Sequence, residues 1–453
     1  MPADIFLYFL YVLISSILLL WVYLSIISIK SFFKIKSLRF VSSTNIKKNK
    51  SVMSLPNDIV SKFTRNHSFS MDYYYDTMES GNYNYFTNSF TLPFVSVIVP
   101  ARNEEREIEQ CLDSILRQKY PSFEVIAIDD SSSDSTLEKM KKIKEKKSEY
   151  SEKLTILSNL DYHEKPDDWC GKTWVSEKAF EKSKGDVILF TDADSYYSNP
   201  YTISTTVSYM LKEKLDVLGG LPYLRLQDLL SKIVMPLWNM LSILLVDAGK
   251  VNDPNRIDIA FILGSFFLIK RDVFNRVGTY KIVKDAVQED FDLALVLKKN
   301  GFRLRLVKID SLVSALWSRD ALTLWQGIGR TIVPVAVRNI KKVLFGLFNI
   351  FYMALLPFFI CAVLVYGVVG FKWNIPYSLL YYSIFSCFVV IFAAYIKGLV
   401  QYKEKNPWYA FLSVFGSIFL TITYLINIVP LLIKKYKIVK WRARTYEFRM
   451  VTR

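Results

Sequence analysis

The sequence predicts an α/β domain with a mostly parallel sheet, joined to one amino-terminal and about three carboxyl-terminal transmembrane helices. Three observations lead to this expectation. Short β-branched runs alternate with helical runs from residue 94 onward, a pattern typical of a parallel sheet flanked by helices. Four long uncharged apolar segments lie before and after that region. Polar and acidic residues directly follow the predicted strand ends, where open α/β sheets bind their ligands.

The four apolar segments comprise residues 5–29, 343–371, 374–396 and 406–433. Each is long enough to cross a hydrocarbon layer of roughly 30 Å as a helix. The first segment differs from a signal peptide because no basic residue precedes it, its apolar part is too long and no small-residue cleavage site is evident. We therefore expect a retained anchor and an integral, multi-pass protein of the cell membrane.

Basic residues beside the membrane segments predict the orientation of the chain. Lys30, Lys34, Lys36 and Arg39 follow the first segment, so we expect the amino terminus outside and the soluble domain in the cytoplasm. Three full crossings after that domain place the carboxyl terminus outside, which conflicts with its strongly basic composition. A re-entrant or interfacial late segment would resolve the conflict, and the sequence leaves the side of the tail open.

The predicted organisation has five parts. They are an anchor at 1–30, a polar juxtamembrane linker at 31–93, a soluble domain at 94–340, transmembrane helices at 341–433 and a basic tail at 434–453. Within the soluble domain, residues 229–246 are apolar with few breaks. A full crossing there would disrupt the domain, so we expect an interfacial helix that brings the domain to the lipid surface.

Charge and residue counts exclude several classes of function. The formal net charge of +16 comes from basic residues that cluster beside membrane segments and on one helix-like run, without a nucleic-acid-binding motif. Anionic lipid head groups explain this charge, and we expect no nucleic-acid partner. The 4 cysteines have no Cys-x-x-Cys spacing and there are only 2 histidines, which argues against a zinc site, a disulfide framework or a histidine-based triad.

Local patterns predict the elements of the soluble domain in chain order. Strands are expected at residues 95–99, 124–128, 154–157 and 186–190, where short β-branched or apolar runs end at turn-forming residues. Helices are expected at 108–116 and 135–146, with Asp134 or Ser135 as the N-cap of the second. A later helical run at 293–298 ends at Asn300-Gly301, a good C-cap pair.

Two carboxylates, Asp192 and Asp194, follow the fourth predicted strand in the run Phe190-Thr-Asp-Ala-Asp194. Mg²⁺ and Mn²⁺ prefer oxygen ligands and often share them between protein carboxylates and substrate phosphates. A surface turn also produces Asp-x-Asp, so the pair alone is a weak signal. Its place after a buried strand favours a metal-assisted enzyme that acts on a diphosphate.

Three segments in order carry a resemblance to a known family. They are Val95-Ser-Val-Ile-Val-Pro-Ala-Arg-Asn-Glu104, Ile128-Asp-Asp-Ser-Ser-Ser-Asp-Ser135 and Phe190-Thr-Asp-Ala-Asp194. With them the chain resembles the family 2 inverting glycosyltransferases, which have the GT-A fold and use nucleotide-diphosphate sugars. Trp169-Cys-Gly-Lys-Thr-Trp174 and Trp441-Arg-Ala-Arg-Thr-Tyr446 resemble the membrane-bound branch that includes hopanoid-associated, carotenoid-acid and ceramide glycosyltransferases.

The resemblance implies a donor site built from residues near the strand ends. Asp192 would bind ribose and metal, and Asp194 would coordinate the metal that bridges the diphosphate, Mg²⁺ or Mn²⁺. A solvated lysine is the alternative for Lys172, and an Asx turn or helix cap is the alternative for one member of Asp129-Asp130. The other implied donor contacts are Pro100, Ala101, Asn103 and Glu104 at the base and ribose, Asp130 at the base, and Lys172 near the base or diphosphate.

The resemblance also implies a catalytic base in Gln288-Glu-Asp-Phe-Asp292. Inversion needs a group that removes the acceptor hydroxyl proton, and a carboxylate within hydrogen-bond reach suits this role. Asp290 would be the base, with Glu289 as a helper in acceptor or metal orientation. The alternative is that these residues and Asp292 are only acidic charges at a helix N-terminus. A lipid-phosphate acceptor would need no strong base.

The acceptor side has weaker signals. Gly264, in Gly264-Ser-Phe-Phe-Leu-Ile-Lys-Arg271, would permit close backbone approach, and a simple bulge is equally consistent. Arg319, Gln326 and Arg330 would contact the diphosphate or a lipid head group, or the two arginines are juxtamembrane charges. Processive synthases carry Gln-x-x-Arg-Trp, whereas this chain has Trp325-Gln-Gly-Ile-Gly-Arg330, so we expect one sugar per turnover.

The sequence thus predicts a membrane glycosyltransferase that moves a single sugar from a nucleotide-diphosphate sugar, most readily a UDP-sugar, to a lipid or lipid-linked acceptor. Two alternatives remain open. One is a polyprenyl-phosphate sugar synthase, and the other is a catalytically silent membrane scaffold on the same fold. The sugar, the acceptor lipid and the oligomeric state are not predicted.

Overall fold

A computed structural model describes residues 2–39, 92–146, 148–162, 164–242, 248–403, 406–441 and 444–450. Most of the predicted linker (31–93), the end of the predicted interfacial helix (229–246) and residues 451–453 of the tail lie outside the described residues. The strands are β1 Val95–Ala101, β2 Phe123–Asp129, β3 Leu154–Ser158, β4 Val187–Phe190, β5 Ser195–Tyr197, β6 Val217–Leu221, β7 Tyr223–Leu226, β8 Phe267–Lys270, β9 Leu304–Lys308, β10 Val313–Ser318, β11 Tyr436–Trp441 and β12 Arg444–Arg449.

The helices alternate with these strands in the middle of the chain and dominate both ends. They are α1 Pro2–Lys34, α2 Ile108–Leu116, α3 Thr136–Glu145, α4 Ser148–Lys153, α5 Gly171–Lys182, α6 Thr202–Lys212, α7 Leu229–Ser242, α8 Arg271–Val277, α9 Glu289–Lys299, α10 Ala321–Arg338, α11 Ile340–Asn349, α12 Leu356–Phe371, α13 Tyr377–Gln401 and α14 Ser413–Lys434.

The chain divides into two compact units. One comprises Ile35–Tyr223 and Val251–Ala315 and is here called the catalytic unit, because the residues predicted to be catalytic belong to it. The other, here called the membrane unit, comprises Met1–Lys34, Leu224–Lys250 and Leu316–Arg453.

The catalytic unit contains a seven-stranded sheet in the order β3-β2-β1-β4-β8-β6-β9. β1 pairs in parallel with β2 and β4, β2 with β3, and β6 with β9. β8 is antiparallel to both of its neighbours. This confirms the predicted α/β class with a mostly parallel sheet. The strands expected at 95–99, 124–128, 154–157 and 186–190 are β1 to β4.

Both faces of this sheet are covered. In β1, Val95, Val97 and Val99 join one apolar cluster, whereas Ile98 joins a second, because successive side chains of a strand point to opposite faces. The helices expected at 108–116 and 135–146 are α2 and α3. Since apolar side chains cover both faces, polar ligand-binding groups are expected at the strand ends.

Within the described residues, the membrane unit has four helices that are long and apolar enough to cross a membrane. They are Asp4–Ser28, Ile340–Phe371, Tyr377–Gln401 and Trp408–Lys434, which confirms the predicted arrangement of one amino-terminal and three carboxyl-terminal candidates. The second contains a π-helical segment, Ile350–Leu355, between α11 and α12. The described part of the predicted interfacial segment forms α7, which contains Pro236.

Candidate active site

The carboxyl ends of β1 and β2 bring five predicted donor residues together. Pro100 and Ala101 end β1, and the carbonyl of Ala101 accepts the N–H of Asp130 at 2.8 Å. Asn103 has a left-handed backbone with φ 53°, and its N–H donates to Ser132 Oγ at 3.0 Å. Glu104 is buried, and its N–H donates to Thr136 Oγ1 at 2.8 Å, so hydrogen bonds hold the two segments together.

Asp129 has a local, loop-stabilising contact of the kind that was the alternative for one member of the Asp pair. Its Oδ2 accepts the N–H of Ser132, three residues on, at 3.1 Å. Arg102 was not singled out from the sequence, although it stands between predicted residues. Its guanidinium donates to the carbonyls of Asp130 and Ser131 and so joins the two loops.

Asp192 and Asp194 follow β4, in a turn closed by a hydrogen bond from the N–H of Ser195 to the carbonyl of Asp192 at 3.1 Å. Thr191 Oγ1 and Ser195 Oγ both donate to the carbonyl of Ser265, at 2.8 and 3.1 Å. These bonds fix the Asp-x-Asp turn to the segment before β8. Both aspartates are half-buried.

Lys172 lies at the second position of α5, and its ammonium joins two predicted parts of the site. Nζ lies 2.7 Å from Asp192 Oδ1 and 2.6 Å from Glu289 Oε1. Glu289 is 4% exposed, so a buried carboxylate depends on this lysine for its counter-charge. Lys172 is therefore not the solvated lysine of the alternative interpretation.

The electrostatics of this cluster favour a charged ammonium. Burial by itself lowers the pKa of Lys172, but attraction from Asp192, Glu289 and Asp290 together is larger. The pKa of Lys172 is therefore well above the ordinary lysine value. The Tyr280 phenol is 2% exposed, and this burial is the main reason why its pKa is raised. The same carboxylates raise the pKa of Tyr280 further.

A hydrogen bond joins the backbone of Gly264 to the side chain of Asp290. The N–H of Gly264 donates to Asp290 Oδ2 at 2.9 Å, and the N–H of Phe291 donates to Oδ1 at 2.8 Å. A Cβ at position 264 would lie 2.5 Å from Lys172 Nζ and 3.3 Å from both carboxylate oxygens of Asp192. A side chain at this position would therefore displace the Lys172 ammonium, and glycine leaves the space that the charged groups occupy.

Glu289, Asp290 and Asp292 belong to the first turn of α9, which begins at Glu289. The predicted run at 293–298 was therefore too short at its amino-terminal end, since apolar periodicity does not mark the acidic first turn. Asn300 is the C-cap and Gly301 has φ 78°, as the sequence predicted. The helix N-terminus favours the nearby negative charges.

Glu177 is a site-supporting residue that the sequence did not reveal, because it lies in a helix among other charged residues. It is 2% exposed and accepts Thr279 Oγ1 at 2.8 Å and the N–H of Tyr280 at 3.1 Å. The ring of Tyr280 packs against Phe190, the last residue of β4, with centroids 5.1 Å apart. Glu177 thus fixes the turn that carries Tyr280 to the carboxylate cluster.

The donor set suits a hard divalent cation. Asp192 and Asp194 offer carboxylate oxygens, which Mg²⁺ and Mn²⁺ prefer. Among the described residues there is no group of three or more His, Cys, Asp or Glu side chains that could hold a metal ion. Two protein carboxylates leave coordination positions for a diphosphate, so the residues fit a metal shared with the substrate.

The remaining predicted residues lie elsewhere in the chain. Gln326 and Arg330 are half-buried residues of α10. The N–H of Arg319, just before that helix, donates to Thr323 Oγ1 at 3.0 Å. All three belong to the membrane unit, and their contact with a diphosphate or lipid head group remains a prediction.

The described geometry allows a defined set of chemical operations. Polar loops after β1 and β2 can hold a nucleoside, the Asp-x-Asp turn can share a cation with a diphosphate, and Asp290 can accept a proton beside them.

Residues 96–278, from β1 through α8 and Gly278, match the family described as glycosyl transferase family 2.

Three comparisons illustrate the likeness to known proteins. The chain is 25% identical over 299 residues to the probable glycosyltransferase YdaM of Bacillus subtilis, covering 63% of this chain and 68% of the relative. It is 28% identical over 134 residues to 4,4'-diaponeurosporenoate glycosyltransferase of Staphylococcus haemolyticus, covering 29% and 33%. The mannosyltransferase PcManGT of Pyrobaculum calidifontis, solved with GDP-Man and Mn²⁺, aligns at 17% identity and a TM-score of 0.42 over 78% of this chain and 94% of that structure.

The family match runs from Ser96 in β1 to the turn at Gly278. It includes the predicted donor residues and Lys172, and α9 with Asp290 follows it in the chain. The chain therefore contains a glycosyl transferase family 2 domain and is a glycosyltransferase.

Proposed function

We propose that this glycosyltransferase transfers one sugar per turnover from a nucleotide-diphosphate sugar, most readily a UDP-sugar, to a membrane lipid or lipid-linked hydroxyl, with inversion at the anomeric carbon. One observation carries the proposal. The Lys172 ammonium forms ion pairs with both Asp192 and Glu289. Glu289 directly precedes Asp290 in α9. Donor-side and acceptor-side carboxylates thus belong to one cluster.

The donor is assigned to the strand-end loops. Pro100, Ala101, Asn103, Glu104 and Asp130 supply the wall for the nucleoside, and hydrogen bonds between the two loops hold it in shape. When bound at Asp192 and Asp194, Mg²⁺ or Mn²⁺ supplies Lewis-acid stabilisation of the departing nucleoside diphosphate. Lys172 adds a permanent positive charge next to the same leaving group.

Asp290 is assigned as the base. The acceptor oxygen forms a bond to the anomeric carbon while the bond from that carbon to the diphosphate oxygen breaks. The acceptor proton passes to Asp290, and the leaving group departs from the opposite face, which gives inversion. The N–H groups of Gly264 and Phe291 orient this carboxylate, and such positioning is a large part of the rate enhancement in group transfer.

A lipid acceptor is supported by the membrane unit. Its four candidate membrane-spanning helices belong to the same chain as the transferase domain, which suits an acceptor that is itself held in the bilayer. The name of one relative gives 4,4'-diaponeurosporenoate as the molecule it glycosylates. We further propose that the catalytic unit lies on the cytoplasmic side of the cell membrane, where nucleotide sugars are supplied.

A donor screen tests the proposal. Purified enzyme in lipid is incubated with Mn²⁺ or Mg²⁺ and a panel of nucleotide sugars, with native lipid extract added, and nucleoside diphosphate release is followed. We expect metal-dependent release from one donor and its loss in Asp194→Ala. Full activity in the presence of a chelator would contradict the metal assignment, and no release from any donor would contradict the transferase proposal.

A further inference from the structure

The end of the chain forms a groove with a mixed cationic and apolar lining. Strand β11 begins directly after α14 and pairs antiparallel with β12. A groove of about 590 Å³ lies where the helix meets this hairpin. Its lining includes Lys434, Lys435, Tyr436, Ile438, Glu447 and Arg449.

The hairpin is fixed to the membrane unit. The N–H of Met450 donates to the carbonyl of Lys435 at 2.8 Å, and Lys437 Nζ donates to the carbonyl of Ile426 in α14 at 3.0 Å. Val439 is 5% exposed and joins the main apolar cluster of this unit. The register places Tyr436 opposite Arg449 and Ile438 opposite Glu447, so the groove residues share one face.

The charge of the groove is positive. Lys434, Lys435 and Arg449 contribute three cations, whereas Glu447 contributes one acid and accepts a hydrogen bond from Arg449 Nε at 2.6 Å. The excess of positive charge suits an anionic group. Phosphate is the anionic group that a bilayer offers at its surface.

The apolar surface beside these cations identifies the source of that phosphate. Val429, Leu432 and Ile433 of α14 are 40%, 41% and 74% exposed, and they belong to the candidate membrane-spanning helix Trp408–Lys434. Lys434 and Lys435 therefore come directly after this exposed apolar surface along the chain. An amphiphile with a phosphate head and acyl chains matches this order, whereas a free phosphate ion would gain nothing from the apolar surface.

We propose that this groove binds the phosphate of an anionic phospholipid, with Lys434, Lys435 and Arg449 as its cationic contacts. The lipid's acyl chains lie along the exposed face of α14. This site is separate from the carboxylate cluster in the catalytic unit, and it does not depend on the proposed sugar transfer.

Native mass spectrometry of the full-length protein in detergent tests the site, with dioleoylphosphatidylglycerol as the probe and dioleoylphosphatidylcholine as its neutral counterpart. We expect one saturable phosphatidylglycerol adduct. The double variant Lys434→Gln/Lys435→Asn should weaken it by roughly tenfold or more, because it removes two of the three cations that line the groove. Asparagine is chosen because Lys435 has φ 63°, which asparagine tolerates.

Two matched variants separate a local site from general attraction. Lys440→Gln removes a cation of β11 that does not line the groove and should leave the adduct unchanged. Glu447→Gln removes the acid beside Arg449 and should strengthen it. Equal binding of both lipids, an equal loss with Lys440→Gln, no change in the double variant, weaker binding in Glu447→Gln or full displacement of the lipid by millimolar inorganic phosphate would each overturn the proposal.

Discussion

Gly264 and Asp290 lie 26 residues apart in the sequence, and the N–H of the first donates to Oδ2 of the second at 2.9 Å. The same glycine leaves the space that Lys172 Nζ occupies. One backbone position therefore orients the proposed base and also makes room for the ammonium that joins Asp192 to Glu289. Changes at position 264 should affect both halves of the site at once.

Gly264→Ala should reduce nucleoside diphosphate release with acceptor by roughly 100-fold, the size expected when reacting groups are misplaced by about 1 Å. The new Cβ would approach Lys172 Nζ to 2.5 Å, and a flexible lysine can move aside, so the fold should persist. Gly398→Ala is the control, because a Cβ there would lie 3.9 Å from Tyr409 Oη, an ordinary van der Waals contact. Wild-type turnover in Gly264→Ala would contradict the geometry.

Lys172→Met should lower the free energy of unfolding, because it leaves the 4% exposed Glu289 without its cation. Adding Glu289→Gln should recover part of the loss. The coupling between the two positions in a double-mutant cycle should be roughly 1–3 kcal/mol, measured by chemical unfolding in detergent. Additive effects of the two substitutions would show that the 2.6 Å contact contributes no stability.

The pKa of Lys172 is raised by its three carboxylate neighbours, which gives a pH dependence of defined sign. A raised folded-state pKa contributes stability that is complete below the ordinary lysine value and is lost as the pH rises through the folded value. The difference in unfolding free energy between wild type and Lys172→Met should therefore be constant from pH 8 to about 10 and smaller at pH 11. A difference that grows at alkaline pH would mean that burial, which lowers the pKa of Lys172, outweighs the attraction of the carboxylates.

Asp290→Asn should lower the rate of transfer by roughly 100- to 10,000-fold, because general-base catalysis contributes on this scale. Donor affinity, measured by calorimetry with the nucleoside diphosphate and metal, should stay near that of wild type. Asp292→Asn is the control, since it removes a charge from the same helical turn. A mild loss in Asp290→Asn would favour a phosphate acceptor that needs no strong base.

Glu177→Gln should destabilise the catalytic unit by about 1–3 kcal/mol. The amide replaces a buried carboxylate oxygen that accepts a bond from Thr279 or Tyr280, so one donor loses its acceptor. Glu181→Gln in the same helix is the control, because its carboxylate is 41% exposed and pairs with Lys178 at the surface. Equal unfolding midpoints for the two variants would show that Glu177 does not support the turn.

Much of the architecture was predictable because local sequence patterns indicate the individual strands and helices. β1 to β4 are short apolar or β-branched runs that end at polar turns, and α2 has apolar residues at helical spacing. The long uncharged segments marked the four candidate membrane helices. The placement of Asp192 and Asp194 after β4 also followed from the sequence, since a strand ends where its polar residues begin.

Contacts between distant segments were not predictable in the same way. Arg102 and Glu177 have no distinctive sequence signal, and their roles depend on partners 28 and 102 residues away. The start of α9 was predicted too late because its first turn is acidic rather than apolar. The position of β8 between β4 and β6 also has no local signature.

The sequence by itself therefore determined the class of fold, the four candidate membrane helices and the chemical types of the site residues, because periodicity and strand ends are properties of neighbouring residues. Only the tertiary structure decided that Lys172 bonds both Asp192 and Glu289, and that Gly264 faces them. Strand order and helix packing set the distances in these contacts. The packing interactions that stabilise this arrangement join residues far apart in the chain, so no local pattern predicts it.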